Sequence, residues 1–246
     1  MHLLKDPDHI AVVSLLSGKK CLVAENNEVD QSLITLLLHE AGMIADVVGD
    51  GYEAVERLKA GPVYDIILID LQMPVMDGYA AAVRIRDELQ LNTPILAMTE
   101  TTPEEEQYNC IVAGIQDCIS KPFDLNDLYR RMARLLSKPY DLSRLDGLND
   151  RGALTEIVNL FLTRTPKTVQ EMLAEAEKQD WEKVHRYAHQ LKSSTGVIGA
   201  QELVELLRRI EEQATYQKDA GTMGRLLRRF CSVFTRVETL LKQEIQ

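Results

Sequence analysis

Asp70 closes the run IILID, and a carboxylate placed directly after four branched apolar residues is the first candidate for chemistry in this 246-residue sequence. A run of that kind reads as a strand buried on both faces, and open α/β sheets hold their ligands at the C-terminal ends of such strands. Other runs also end in polar groups. Glu25 and Asn26 follow CLVA, Thr99 follows PILAM, and Lys121 follows DCIS. Acidic groups, a hydroxyl and an ammonium converging on one crevice are the parts that bind a divalent cation and a phosphoryl group. Carboxylate and carbonyl oxygens suit hard Mg2+, while a lysine and a hydroxyl take phosphoryl oxygens. Each residue alone also has a plainer reading, as a helix cap or a solvated strand end.

A second set lies in the C-terminal half. His185, His189, Lys192 and Gly196 fall at helical spacing on one stripe, offset from the face of Val184, Ala188 and Leu191. An exposed imidazole is a nucleophile in its neutral form, and Lys192, one turn on from His189, is placed to steady a phosphoryl group. The small Ser193 and Ser194 leave space around it. His185 and His189 also have the i, i+4 spacing of a metal pair, but no third ligand stands near them in sequence.

The elements that must position these residues follow two different patterns. From Lys20 to about Leu136, short apolar runs alternate with helical periodicity. CLVA, IADVV, IILI, PILAM and DCIS read as five strands. Ile34, Leu37, Leu38 and Ala41 mark a helix stopped by Gly42, while YEAVERL and YAAAVRIRDEL mark two more. Asp124 is placed to cap the helix carrying Leu125, Leu128, Met132 and Leu135. Five β/α units predict a doubly wound parallel sheet with helices on both faces. After SKPYDLSRLDGLND the strand signals stop. Amphipathic patterns at Leu154, Ile157, Val158 and Phe161, at Trp181 to Leu191, at Leu203 to Ile210 and at Leu226 to Leu240 predict an all-α bundle. The chain thus divides into an unassigned segment 1–18, an α/β domain 19–137, a linker 138–148 broken by Pro139, and a helical domain 149–246.

Composition narrows the function. Hydrophobic residues make up 45% of the chain and the net charge is −10, which argues against a nucleic-acid-binding face. No apolar run is long enough to span a membrane, and the N-terminus MHLLKDPDHIAVV is too broken by charge for a signal peptide. Cys21, Cys110, Cys118 and Cys231 lack metal-ligand spacing and fit a reduced, cytoplasmic setting as small apolar fillers.

The strings AENNEVDQ, LIDLQMPVMDG, MTE and SKPF resemble the receiver domain of two-component response regulators and hybrid histidine kinases, which has a flavodoxin-like fold. That resemblance implies that Asp70 accepts a phosphoryl group from a phosphohistidine. It implies that Thr99 and Lys121 hold phosphoryl oxygens, and that the Gln72 backbone carbonyl joins Glu25, position 26 and Asp70 around Mg2+. It also implies a cis peptide at Lys121–Pro122. Three positions depart from the family pattern. Asn26 stands where an aspartate is usual and should weaken Mg2+ binding. Glu100 follows Thr99 where a small residue is preferred, and Cys118 replaces an aromatic switch residue.

AHQLKSSTGVIGA is similar to the signature of histidine phosphotransfer (HPt) domains, which are four-helix bundles. By that match His189 is the phosphoacceptor, Lys192 its supporting cation and Gly199 the small residue closing the signature. Ser193 stands where glycine is more common, and His185 is structural or a bystander. Together the resemblances imply a phosphorelay intermediate, freestanding or from a hybrid kinase, receiving phosphoryl from an upstream histidine kinase and passing it to a downstream response-regulator receiver. The sequence carries no ATP-binding kinase module and no DNA-binding output module. The alternative is a receiver half that is a degenerate docking or regulatory module, with only the HPt half transferring phosphoryl. A hydrolase on the same scaffold lacks a second acid/base pair.

Overall fold

The computed structural model describes residues 7–143, 145, 151–217 and 219–245. Residues 1–6 of the unassigned N-terminal segment, and residues 144 and 146–148 of the expected linker, lie outside the described residues. The chain divides into two compact units, Met1–Ser137 and Lys138–Gln246.

In the first unit, strands β1 (Lys20–Ala24), β2 (Ile44–Val48), β3 (Ile66–Asp70), β4 (Ile95–Thr99) and β5 (Asp117–Ser120) form one sheet in the order β2-β1-β3-β4-β5. Every neighbouring pair is parallel. Parallel strands need covered faces, and alternation along each strand supplies two cores. Ile67 and Ile69 of β3 pack with Ala54, Val55, Ala81 and Ile85 on one side. Ile66 and Leu68 pack with Ile34, Leu38, Leu128 and Met132 on the other. Helices α3 (Gly51–Lys59), α4 (Gly78–Asp87) and α5 (Pro103–Ala113) cover the first face, while α2 (Glu28–Glu40) and α6 (Leu125–Leu136) cover the second. The chain winds outward from β1 to β2, then crosses to β3 on the other side of β1. The strand ends of β1 and β3 therefore flank the point where winding reverses, which is where such sheets open a crevice.

Local signals fix the helix starts. Asn27, Asp50, Asp77 and Asp124 each accept backbone N–H bonds at the N-termini of α2, α3, α4 and α6. A further helix, α1 (Pro7–Leu16), comes from the segment that fitted neither sequence pattern. Its fully buried Leu16 joins the core of Ile34, Leu38 and Met132, and His9 Nδ1 lies 3.1 Å from Asn126 Oδ1 of α6.

The second unit is a bundle of α7 (Arg151–Glu177), α8 (Trp181–Val197), α9 (Gln201–Glu212) and α10 (Ala220–Glu244), with a π-helical turn at Gln213–Gln217. Val158, Phe161, Thr165, Val169 and Met172 line the buried stripe of α7, at the three- and four-residue steps of a helix face. On α10 the buried stripe ends at Leu241, with Leu240 turned partly outward, because it continues four residues beyond Val237. The unit's two ends meet. Glu244 Oε2 accepts from the buried Tyr140 hydroxyl at 2.7 Å and from Lys138 Nζ at 2.6 Å. Asp141 N–H donates to Ile198 O at 3.1 Å. Gly199, at φ +64°, makes room for that contact, since a Cβ there would lie 2.3 Å from Asp141 O.

Candidate functional site

Asp70 stands at the C-terminus of β3, 6% exposed. Its Oδ1 accepts the Gln72 N–H at 2.8 Å and its Oδ2 accepts from Lys121 Nζ at 2.6 Å. Lys121 reaches in from the loop after β5, where Lys121–Pro122 is cis. The same ammonium donates to Glu25 Oε2 at 2.6 Å. Glu25 is fully buried directly after β1, and its other oxygen accepts the Asn27 N–H at 2.9 Å. Two residues from separate strand ends thus converge on one cation.

A third carboxylate, absent from the sequence reading, joins them. Asp30, in the first turn of α2, lies 3.2 Å from Lys121 Nζ. Burial raises the Glu25 pKa against the pull of Lys121 and the Asn27 N–H. Burial also works against the Lys121 charge, but hydrogen bonds to Asp70 and Glu25 outweigh it and its pKa is raised.

The remaining expected residues are placed differently. Thr99 ends β4 next to Asp70's strand and is 1% exposed, but its hydroxyl lies 2.9 Å from Thr101 Oγ1 rather than on the Asp70 group. Asn26 is exposed beside Glu25, outside the bonded group of Glu25, Asp70 and Lys121. Gln72 and Glu100 are also exposed. Cys118 is buried, with its thiol 3.5 Å from Pro103 O.

The donor chemistry fits a hard divalent cation. Glu25 and Asp70 present two carboxylates to one point already held by a positive charge, and the rim at Asn26 and Gln72 is open. Among the described residues no three His, Cys, Asp or Glu side chains close into a metal cage. Mg2+, commonly held by one or two carboxylates with water completing its shell, needs no such cage.

In the second unit, His189 sits on α8 with its ring 71% exposed, above a buried face of Val184, Ala188 and Leu191. Its Nδ1 lies 2.9 Å from Oε1 of Glu211, and Oε2 of the same residue accepts from Lys192 Nζ. Glu211 is on α9 and 8% exposed. A carboxylate only accepts, so the hydrogen-bond network assigns a proton to Nδ1. In the neutral ring the lone pair is then on Nε2, the nitrogen turned away from Glu211. His185 lies parallel to His189 at 6.4 Å between ring centroids, without forming a ligand pair with a third group. Ser193 is exposed and Gly196 has open space around it, so the surface beside His189 is uncrowded.

Comparison with known proteins places both halves. Residues 21–133 match the response regulator receiver domain model, and residues 156–245 match the Hpt domain model. The chain is 32% identical over 160 residues to Histidine kinase 3 of Arabidopsis thaliana, covering 56% of this chain and 15% of that protein. It is 39% identical over 119 residues to Two-component system protein A of Emericella nidulans, covering 48% of this chain and 17% of that protein. It therefore spans under a fifth of the length of these two relatives. A solved receiver domain of the sensor histidine kinase PA1611 from Pseudomonas aeruginosa PAO1, with magnesium in its active-site cleft, is 35% identical. It aligns over 49% of this chain and 98% of its own, with a TM-score of 0.44. Among the described residues no helix is long and apolar enough to cross a membrane. With both models matched in this order, the chain consists of a response regulator receiver domain followed by an Hpt domain.

Proposed function

We propose that the chain carries a phosphoryl group between histidine and aspartate side chains, with Asp70 and His189 as its two acceptors. The observation that carries this reading is a shared design: each unit presents one nucleophilic atom with a lysine ammonium close by. Lys121 is bonded to Asp70, and Lys192 is joined to His189 through Glu211.

In the first step an Asp70 oxygen attacks the phosphorus of an upstream phosphohistidine. The O–P bond forms, the N–P bond breaks, and the donor imidazole leaves with the electron pair. Lys121 and Thr99 hold phosphoryl oxygens. In the second step His189 Nε2 attacks the phosphorus, the acyl O–P bond breaks, and the Asp70 carboxylate is restored. Lys192 offsets charge on the phosphohistidine, which then donates to a downstream receiver. Asp70, Glu25, the Gln72 carbonyl and the neutral oxygen of Asn26 are the groups that would hold Mg2+. When bound, the ion supplies positive charge against the phosphoryl oxygens.

Phosphorylation with a labelled acyl phosphate tests both acceptors. Asp70→Asn should abolish the base-labile label. His189→Gln should abolish the base-stable, acid-labile label with the fold intact, since an exposed helix position tolerates substitution within about 0.5 kcal/mol. Base-stable, acid-labile label undiminished in His189→Gln would overturn the assignment.

A second reading takes the receiver half as a docking module that is not phosphorylated. Its support is the exposed, uncharged Asn26 together with the Lys121 ammonium lodged between Glu25 and Asp70. Under the relay reading, Asn26→Asp should lower the Mg2+ concentration needed for half-maximal uptake by Asp70, and Glu100→Ala should speed it. No base-labile label in the wild type or either variant at saturating Mg2+ favours docking.

A further inference from the structure

The direction of one hydrogen-bonded chain follows from counting its protons. Glu106, on α5, accepts from the Tyr79 hydroxyl at Oε2 and from Thr101 Oγ1 at Oε1, the latter at 2.7 Å. Those bonds, the tyrosine's first, hold the Glu106 carboxyl below its ordinary range, so it is ionised near neutrality and has no proton to give. Thr101 has one hydroxyl proton, and it goes to Glu106. Thr99 Oγ1 lies 2.9 Å from Thr101 Oγ1 and also accepts the Thr101 N–H at 3.1 Å. Between the two hydroxyls only one donor remains. Thr99 gives its single proton to Thr101.

That proton is the one Thr99 needs in order to donate to a phosphoryl oxygen on Asp70. We propose that Thr101 and Glu106 are positioning residues that latch the Thr99 hydroxyl away from Asp70, so that a phosphoryl group is held only when the latch opens. Opening turns the Thr99 O–H from Thr101 Oγ1 to a phosphoryl oxygen, while Thr101 keeps its bond to Glu106. Because Glu106 also anchors Tyr79 of α4, the latch ties the end of β4 to two helices on one face of the sheet. The proposal rests on the reading of Asp70 as acceptor and Thr99 as hydroxyl donor.

The test is binding of beryllium trifluoride, a phosphoryl analogue, to the full chain with saturating Mg2+, followed by calorimetry and by the amide resonance of Thr101. Thr101→Val removes the proton acceptor without changing shape and should tighten binding about threefold to tenfold, the equilibrium effect of one net hydrogen bond. Glu106→Ala frees the Thr101 proton for donation to Thr99 and should tighten binding in the same direction. Thr101→Ser keeps the latch and should bind as the wild type does. In a Thr99→Val background Thr101→Val should add nothing. Wild-type binding that neither Thr101→Val nor Glu106→Ala tightens overturns the latch alone. A gain from Thr101→Val that persists without the Thr99 hydroxyl also overturns it. Absence of Asp70-dependent binding in every variant overturns the acceptor reading, and the latch with it.

Discussion

Glu211 serves two partners with one carboxylate. It fixes the proton of His189 on Nδ1 and holds the Lys192 ammonium beside the ring. Glu211→Ala removes both effects, whereas Lys192→Ala removes only the cation. Because the ring is 71% exposed, the orienting bond is worth about 1 kcal/mol rather than the larger figure of a buried ionic bond. Phosphoryl transfer to His189 should therefore slow about fivefold in Glu211→Ala, as expected for an effect of that size. Nitrogen NMR of the ring should show a mixture of tautomers in Glu211→Ala and the Nδ1–H form in Lys192→Ala. An unchanged tautomer in Glu211→Ala would show that the contact does not orient the ring. Glu211 had a signal in the sequence. It falls four residues after Leu207 and eight after Leu203, on the stripe that α9 buries, and a charge at a core position needs a partner. Thr101, Glu106 and Asp30 gave no such signal, because exposed or half-exposed polar residues near helix starts look alike whatever they bond to. Asp70, Lys121 and His189 were legible because their types coincide with strand ends or with a helical stripe.

At the scale of elements, the start of α4 is pressed against the strand end that carries Asp70. A Cβ on Gly78 would lie 2.4 Å from Asp70 O and 3.0 Å from the Leu71 Cα. These are backbone atoms and cannot swing aside. Gly78→Ala should cost about 1–3 kcal/mol through overpacking, read as a lower urea midpoint with an unchanged slope. The displaced strand end should also weaken beryllium trifluoride binding. A midpoint equal to the wild type would show that α4 can shift freely. The five strands were plain in the sequence because burial on both faces makes each a short apolar run. Two helices were not. Only Cys110 and Ala113 of α5 are buried, too thin a stripe to mark a period, although Pro103 opens the helix and the Glu105 side chain accepts the Thr102 N–H at 3.3 Å. In α1 the run IAVVSLL is apolar almost throughout. Leu16 alone is fully buried there, while Ile10 and Leu15 are 57% and 53% exposed, so periodicity could not distinguish helix from strand.

For the whole molecule, each unit holds its own cluster of candidate site residues. The strand-end group of Glu25, Asp70, Thr99 and Lys121 lies within Met1–Ser137, and the trio of His189, Lys192 and Glu211 lies within Lys138–Gln246. The physical start of the second unit precedes its family match at residue 156, because Tyr140 and Asp141 are already bonded into it. The meeting of Glu244 with Lys138 and Tyr140 makes this domain nearly a closed ring. A ring has no privileged opening. Joining residue 245 to 138 through a short glycine linker, and cutting instead at the exposed turn of Lys178 and Gln179, should give a circular permutant that folds to the same bundle. Its melting temperature should stay within a few degrees of the parent, about the shift expected for 1 kcal/mol or less in a domain of this size. A collapse in stability would show that chain order, and not only the meeting of the ends, is needed to assemble the four helices. Success would make the order in which α7 to α10 are synthesised dispensable for bringing His189 and Glu211 together.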